Sequence, residues 1–410
     1  MIGQAGVGAS TCLGCGCACD DIDITVADGQ IIAARNACDD GVRWFGTGEV
    51  PARAAIDGIE TSRETALSEA ASLLAAAESP RILLGSDVSC ETYREAIGCA
   101  DALRARLDIA APPSAIGTAL AIQERGIATA TLGEIRNRAD IVLFWGVDPA
   151  ARFPRYTSRY APGPAGIHIP EGRRSRTVIA ISIGDEPSAE DADVQMAIPR
   201  ALEDETLIRL AALLVGAPAV SAIDRGSPAA VLAEQLREGR YVVIVADTEP
   251  DADGSVRRIH RLLAVAQALN VKGRGALSLL RGSGNLSGAE SVIVSQTGYP
   301  GSVDFASGSP RYSPHTSSAD TVWDVTLLVG SDRSLDSSLF PTVVIGPLAS
   351  RRATSARVVI DSATAGVHAG GTALRMDEVP LPLRPLVPGP PDATLLCAGL
   401  RQGLARILAG

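Results

Sequence analysis

Four cysteines near the N-terminus have the type and spacing of metal ligands. Cys12, Cys15 and Cys19 lie in one short segment, and Cys38 follows after an intervening stretch. Four thiolates are what a [4Fe–4S] cube requires, one for each iron. The glycines between the first cysteines would let that segment fold around the cube. The spacing therefore indicates an iron–sulfur site.

Two other interpretations of these cysteines stay open. Structural zinc sites prefer two separated Cys-x2-Cys pairs, and Cys38 has no second cysteine beside it. Alternatively, the loop holds no metal and is kept only as a packing element. Cys17 is extra to the pattern, and we expect the remaining cysteines to be small buried residues: Cys90, Cys99 and Cys397.

A β-hairpin is the element that must bring Cys38 back to the other three cysteines. Asp28-Gly29 stands between two short runs rich in β-branched residues, which is a strong hairpin signal. Residues 1–55 are therefore expected to form a small Cys-rich hairpin domain.

The rest of the chain alternates between strand-like and helix-like stretches. Short apolar runs predict buried strands at Ile82–Leu84, Ile141–Trp145, Thr177–Ser182, Tyr241–Val245, Val325–Val329, Val343–Ile345 and Val358–Ile360. Helical spacing is found at residues 64–78, 91–107, 203–215, 228–238 and 256–269. This alternation predicts an α/β fold made of several doubly wound parallel-sheet subdomains.

Three further segments follow the hairpin domain in this interpretation. They are a first α/β region at 56–200, a second at 201–350, and a C-terminal segment at 351–410 that completes the core. Long loops are expected at 161–175 and 299–319, which are rich in Gly, Pro and Ser. Ligands of such folds bind at the carboxyl ends of the strands, so the loops after Trp145, Ser182, Val245 and Val329 are where chemistry is expected.

Composition excludes several function classes. The chain has 410 residues and a net charge of −10, which argues against nucleic acid as a partner. We find no apolar run long enough to span a membrane and no secretory signal, so we expect a cytoplasmic protein. The four histidines share no ligand spacing and are expected to be surface or loop residues: His168, His260, His315 and His368. Arg173, Arg174 and Arg176 could bind an anion, form a solvated rim or make a subunit contact.

Several segments resemble the B subunit of formylmethanofuran dehydrogenase, in the molybdopterin oxidoreductase superfamily. They are, in chain order, CLGCGCACDDI from residue 12, TLGEIRNRAD from 131, WGVDPAARFPRYTSRY from 145, RGSGNLSGAE from 281, QTGYP from 296 and HAGGTALRMDEVPLPLR from 368. The resemblance implies a molybdopterin oxidoreductase-like fold. It also implies a tungsten or molybdenum centre on two pterin guanine dinucleotides, which interconverts carbon dioxide and formate.

The resemblance assigns roles to matching residues only. Cys12, Cys15, Cys19 and Cys38 would be the cluster ligands. Trp145, Gly146 and Asp148 would lie beside a nucleotide tail.

Two departures from the family pattern bear on its metal centre. Where the family has a metal-binding cysteine before Thr-Leu-Gly-Glu, this chain has Ser114, and an alkoxide is a harder donor than a thiolate. After the strand at Thr177–Ser182 the family has an arginine that helps to hold the pterin phosphates, but this chain has Asp185 and Glu186. Like charges there would oppose an anion. We therefore expect the metal–pterin cofactor to be absent.

The pattern of losses is similar to that of the B subunit of the bacterial formyltransferase/hydrolase complex. That complex converts formyl-tetrahydromethanopterin to formate through a formyl-methanofuran-like carrier, in one-carbon (formaldehyde) oxidation. The leading hypothesis is a redox-inactive subunit whose partners are amidohydrolase-like, formyltransferase and C-type subunits. Its alternatives are an active tungsten or molybdenum subunit that uses Ser114, and an electron-transfer module that carries only a [4Fe–4S] cluster.

Overall fold

The computed structural model describes residues 5–111, 113–186, 188–217, 225–248, 255–282, 284–314, 323–331 and 342–409. The chain divides into two compact units. Unit 1 combines residues 1–111 with residues 283–410, and unit 2 is the continuous segment 112–282. These boundaries differ from the segments expected at 1–55, 56–200, 201–350 and 351–410, because unit 2 is inserted between two halves of one sheet.

The strands of the described residues are numbered in chain order. They are β1 (Ala5–Ser10), β2 (Ile22–Ala27), β3 (Gln30–Arg35), β4 (Ala54–Ile56), β5 (Ile59–Glu60), β6 (Pro80–Leu84), β7 (Arg106–Ile109), β8 (Ile141–Trp145), β9 (Thr177–Ile183), β10 (Val194–Ile198), β11 (Val242–Asp247), β12 (Gly275–Leu280), β13 (Val303–Asp304), β14 (Arg311–Tyr312), β15 (Val325–Val329), β16 (Val343–Gly346), β17 (Val358–Asp361), β18 (Gly371–Leu374) and β19 (Pro380–Leu383).

The α-helices of the same residues are numbered likewise. They are α1 (Asp39–Phe45), α2 (Arg63–Ala76), α3 (Cys90–Leu103), α4 (Pro113–Arg125), α5 (Leu132–Arg138), α6 (Pro149–Arg152), α7 (Tyr156–Arg159), α8 (Glu203–Val215), α9 (Pro228–Arg237), α10 (Ser255–Leu269), α11 (Leu286–Thr297), α12 (Ala349–Arg352) and α13 (Ala393–Leu408).

Unit 2 is built on a parallel sheet that its described residues form in the order β10-β9-β8-β11-β12. The central strands β8, β9 and β11 are mostly apolar because both faces of the sheet are covered there. β8, for example, is buried at every position. Helix starts are marked by caps: Thr131 and Glu134 form a capping box at α5, and Ser227 caps α9. Predicted strands β8, β9 and β11 are confirmed.

Unit 1 contains a larger mixed sheet, which its described residues form in the order β14-β13-β7-β6-β15-β16-β17-β4-β5. Its centre, β7 to β17, is parallel, and antiparallel strands close both sides. Helices α2, α3, α11 and α13 bury apolar residues in the same core. The strands predicted at β6, β15, β16 and β17 are confirmed, and with unit 2 they establish a mixed α/β fold with parallel sheets.

One predicted helix is too long. The helical pattern at 91–107 extends past the observed end of α3 at Leu103. Arg104 takes the left-handed conformation with φ 52°, which ends the helix. The following residues form β7 and pair with β6, so burial in the sheet overrides the helical pattern.

The N-terminal hairpin is confirmed. β2 and β3 are antiparallel, and β1 adds a third strand on the other side of β2. Asp28 and Gly29 both have positive φ, 51° and 77°, as a two-residue type I′ turn requires. This sheet belongs to unit 1 and is not a separate compact unit.

The predicted long loops are partly regular. Residues 161–175 are irregular apart from an isolated β-bridge between Gly166 and Ile169 and a 3₁₀ turn at Gly172–Ser175. The loop predicted at 299–319 includes the short strands β13 and β14, and its residues 315–319, with His315, lie outside the described residues. No helix in the described ranges has the length and apolar character needed to cross a membrane.

Candidate functional site

The order of the strands predicts one ligand-binding position in each unit. In unit 2, β8 comes first in the chain and its neighbours β9 and β11 lead away on opposite sides. In unit 1, β6 is the first strand of the parallel centre and lies between β7 and β15. Open α/β sheets bind ligands at the carboxyl ends of strands where the connections reverse in this way. We call these positions the unit-2 switch point, between β8 and β11, and the unit-1 switch point, between β6 and β15.

The loop with the first three cysteines folds back on itself and packs on α1. The Cys12 amide donates to the Cys19 carbonyl at 2.9 Å, and the Ala18 amide donates to the Cys15 carbonyl at 3.1 Å. Gly14 approaches α1 so closely that a Cβ would lie 2.9 Å from the Asp40 carbonyl oxygen. A glycine is therefore required for this contact.

The fourth cysteine arrives from the hairpin, as predicted. Cys38 is the residue before α1, and a Cβ on Gly41 of that helix would lie 3.5 Å from the Cys12 sulfur. The pKa of the Cys12 thiol is raised well above its usual value, mainly by burial and further by the nearness of Cys15, Cys19 and Cys38. Cys15, Cys19 and Cys38 are therefore near enough to Cys12 to influence its pKa.

The Cys12 sulfur has one backbone contact that bears on its ionisation. The Gly14 amide donates to the Cys12 sulfur at 3.3 Å, which is a contact that favours a thiolate. Within the described ranges, no three or more His, Cys, Asp or Glu side chains are grouped so that they could hold a metal ion. Zinc needs its sulfurs about 2.3 Å from one ion, whereas a cube binds one thiolate on each of four irons. The iron–sulfur, zinc and metal-free interpretations of the cysteines therefore all stay open.

Ser114 lies in the first turn of α4 and is buried. Neither its hydroxyl nor that of Thr118, one turn later, has a hydrogen-bond partner among the described residues. Buried hydroxyls without partners are uncommon in proteins. Ser114 is therefore positioned as a polar group that could meet a ligand.

Trp145, Gly146 and Asp148 follow β8 at the unit-2 switch point. Trp145 is fully buried, and its indole nitrogen donates to the Glu203 carboxylate at 2.8 Å. Gly146 has a φ of 60°, and a Cβ there would lie 2.4 Å from the Glu186 Oε2 atom. Asp148 caps α6 by accepting from the Ala150 amide at 3.0 Å. The structure therefore gives Trp145 and Asp148 contacts within the protein.

A buried ion-pair network fills the space next to Gly146. Arg258, at the start of α10, donates to both oxygens of Glu203 at 2.5 and 3.0 Å. It also contacts the Glu186 carboxylate at 2.9 Å, which Arg200 reaches at 2.8 Å. Burial by itself would lower the pKa of Arg258, but the two carboxylates raise it. Two arginines and two carboxylates thus balance in charge.

The unit-1 switch point has a cavity lined by three arginines and by the carboxylates of Glu49 and Asp87. A cavity of about 170 Å³ is lined by Arg43, Arg351 and Arg352, together with residues of the cysteine loop. At its base the Ser331 amide donates to buried Asp87 at 2.7 Å, and Arg352 donates to the Ser331 hydroxyl at 2.5 Å. Burial raises the pKa of Asp87, although hydrogen bonds from Ser331 oppose this shift.

Two arginines of the cluster at Arg173, Arg174 and Arg176 have partners within the chain. Arg173 pairs with Asp191 and Asp193. Arg176 is buried, and its guanidinium donates to four carbonyl oxygens of neighbouring loops, those of Arg136, Ala139, Pro162 and Pro164. Local carboxylates and carbonyls therefore already bind these two arginines.

The sequence analysis did not identify three charged residues at the switch points: Asp87 in unit 1, and Glu203 and Arg258 in unit 2. Asp87 could have been found, since it follows a predicted strand at its carboxyl end. Arg258 and Glu203 lie within helical patterns that carry no local signal of a shared site. His368, expected in a loop, is half-buried and connects two backbone segments of unit 1 through both ring nitrogens.

Comparisons with known proteins agree with this architecture. No family model matches the chain. The B subunit of the tungsten-containing formylmethanofuran dehydrogenase 2 of Methanocaldococcus jannaschii is 31% identical over 414 residues, covering 94% of this chain and 94% of that protein. Its counterpart from Methanococcus maripaludis is 29% identical over 405 residues, covering 92% and 93%.

A solved structure has the same fold. It is a chain of the crystal structure of the formyltransferase/hydrolase complex from Methylorubrum extorquens with methylofuran, with a TM-score of 0.73 and 23% identity. The match covers 87% of this chain and all of that one, 100%. With the extent of the first match, the conclusion is plain: the chain belongs to the family of formylmethanofuran dehydrogenase B subunits.

Proposed function

We propose that this chain is a redox-inactive subunit of a formyltransferase/hydrolase-type complex. The complex would convert formyl-tetrahydromethanopterin to formate through a formyl-methanofuran-like carrier, in the cytoplasm. Amidohydrolase-like, formyltransferase and C-type subunits would be its partners, and the chemistry would take place on them. Support for a heteromeric assembly comes from the solved structure of similar fold, which is itself a chain of a multi-subunit complex.

The observation that carries this proposal is the charge balance at the unit-2 switch point. A pterin guanine dinucleotide brings negative phosphates, which need positive groups or free amides to hold them. Here Arg258 is held by Glu203 and Glu186, and the Glu186 carboxylate lies against Gly146. A dinucleotide tail beside Trp145, Gly146 and Asp148 would meet a carboxylate of the chain itself, so the residues do not fit this cofactor.

A second candidate function has one observation in its favour. The buried hydroxyl of Ser114 has no hydrogen-bond partner among the described residues, and neither has that of Thr118. An active subunit that interconverts carbon dioxide and formate could use Ser114 as an oxygen ligand to tungsten or molybdenum. The third candidate, an electron-transfer module, is supported by the four neighbouring cysteines, which would hold a [4Fe–4S] cluster.

Metal analysis separates the three candidates. The native complex would be purified anaerobically and its tungsten, molybdenum and iron measured per chain by mass spectrometry. We expect neither tungsten nor molybdenum. One equivalent of either metal, or formate-dependent dye reduction by the complex, would overturn the leading proposal in favour of the second candidate. About four iron atoms per chain without either metal would support the third.

A further inference from the structure

Glu186 has the surroundings that α/β proteins give to a bound phosphate. It follows β9, and its carboxylate lies at the carboxyl end of the first strand of the unit-2 sheet. Gly146 lets it approach the backbone, since a Cβ there would be 2.4 Å from Glu186 Oε2. Glycine at this point of a doubly wound sheet commonly allows a phosphate to come close to the backbone.

Two guanidinium groups complete these surroundings. Arg258 contacts Glu186 at 2.9 Å and its side chain is only 4% exposed. Arg200 contacts the same carboxylate at 2.8 Å from the more open side, with 56% of its side chain exposed. Arginine is the usual partner of both carboxylates and phosphates, because its donors match either group in pairs. These groups thus form a site for an oxyanion, and the Glu186 carboxylate of the chain itself occupies it.

The charges decide whether a second anion can enter. Arg258 and Arg200 are matched by Glu186 and Glu203, so an incoming phosphate would find no net positive charge and would repel Glu186. Without the Glu186 carboxylate, one positive charge and a space against Gly146 would remain. Glu203 would still hold Arg258 in place through two hydrogen bonds.

We infer that the Glu186 carboxylate is an internal substitute for a phosphate, and that unit 2 keeps a latent oxyanion site for diphosphate groups beneath it. We use "latent oxyanion site" for the space bounded by Gly146, Arg200 and Arg258. The inference rests on the proposed function, because a chain that still carried a pterin dinucleotide would have this space filled by the cofactor.

Inorganic pyrophosphate is a suitable probe, with the full-length chain titrated by calorimetry at low salt. We expect Glu186→Ala to bind pyrophosphate at least about tenfold more tightly than the wild type, because a close charge pair is gained and a repulsion is removed. This gain should shrink as salt is added. Combining Glu186→Ala with Arg200→Ala should remove most of it.

Asp185→Ala is the matched control. Asp185 precedes Glu186, is exposed, and loses the same charge on substitution, so it should leave the affinity unchanged. If Glu186→Ala does not fold, Glu186→Ser also removes the carboxylate and vacates the space against Gly146, and pyrophosphate should then raise its unfolding temperature but not that of the wild type.

The inference is overturned if folded Glu186 variants bind pyrophosphate no more tightly than Asp185→Ala does. Wild-type binding as tight as that of the variants would also overturn it. The proposed function is tested separately, by the tungsten and molybdenum content of the wild-type complex.

Discussion

At the scale of single residues, His368 makes two hydrogen bonds that require a neutral imidazole ring. Its Nε2 atom lies 2.8 Å from the Gly48 carbonyl oxygen, and its Nδ1 atom accepts from the Thr364 amide at 3.1 Å. A protonated ring has two donors and could no longer accept from Thr364. Burial lowers the pKa of His368, although the hydrogen bond to Gly48 opposes this. The ring therefore stabilises the fold only while it is uncharged.

This arrangement predicts a loss of stability in acid. Because the folded-state pKa lies below the ordinary value of about 6.5, the unfolded chain takes up the proton first as the pH falls. The contribution of His368 is complete above about pH 6.5 and is lost as the pH falls toward its folded-state pKa. Urea unfolding at several pH values should show this fall, and it should be smaller in His368→Gln, whose amide donates and accepts without titrating.

The control for this prediction is His260→Gln. His260 pairs with the Glu124 carboxylate in unit 2 and, among the described residues, makes no such double backbone contact. Its substitution should leave the acid dependence of unit 1 as it is in the wild type. An equal fall in the wild type and in His368→Gln would show that other groups cause the loss.

At the scale of elements, the Asp28-Gly29 turn sets the path of the chain from the cysteine loop to Cys38. Gly29 has a φ of 77°, and a Cβ there would meet no atom within 4 Å. Substitution by alanine therefore tests backbone conformation without a steric clash. We expect Gly29→Ala to lower the free energy of unfolding by about 1–2 kcal/mol, the cost of a left-handed conformation for an L-residue.

Gly8→Ala is the control for the turn. Gly8 lies in β1, also has open space around its Cα and has no positive φ. Its substitution should be neutral or slightly stabilising, because alanine restricts the unfolded chain more than glycine does. Similar losses for the two variants in thermal or urea unfolding would contradict a role for the turn conformation.

The elements that could be predicted from the sequence are those with one uniform pattern. β8 is apolar at every position because both faces of its sheet are buried, and the Asp-Gly turn has few alternatives. β12 was missed because glycine and serine interrupt its apolar residues, although all of them are buried in the sheet. Helix α4 was missed as well, since it starts at prolines and contains Gly117.

Part of the candidate site could likewise be predicted from the sequence, and part could not. Cys12, Cys15 and Cys19 are close in sequence, and the Asp28-Gly29 hairpin signal predicted that Cys38 would return beside them. The network at the unit-2 switch point joins the end of β8, the loop after β9, α8 and α10, and only the tertiary structure brings these together. Glu186 was expected to face an anion position, and the structure adds that arginines hold it there.

At the scale of the whole molecule, unit 2 contains every strand of its own sheet. It also has its own apolar core. We therefore expect residues 112–282, expressed alone, to fold and to unfold cooperatively in urea, with an α/β circular dichroism spectrum. A useful control is the segment 56–200, which carries β8 without its neighbour β11 and separates β6 from β15. It should not fold, and a disordered 112–282 would contradict the prediction.

The insertion of unit 2 has a consequence for the newly made chain on the ribosome. β6 and β15 are neighbours in the unit-1 sheet, but the whole of unit 2 is synthesised between them. During that interval β6 has an open edge, which is prone to pair with foreign strands. Unit 2 can thus fold before unit 1, although the synthesis of unit 1 begins first. Slow translation between residues 112 and 282 would extend the time for which β6 needs protection by a chaperone.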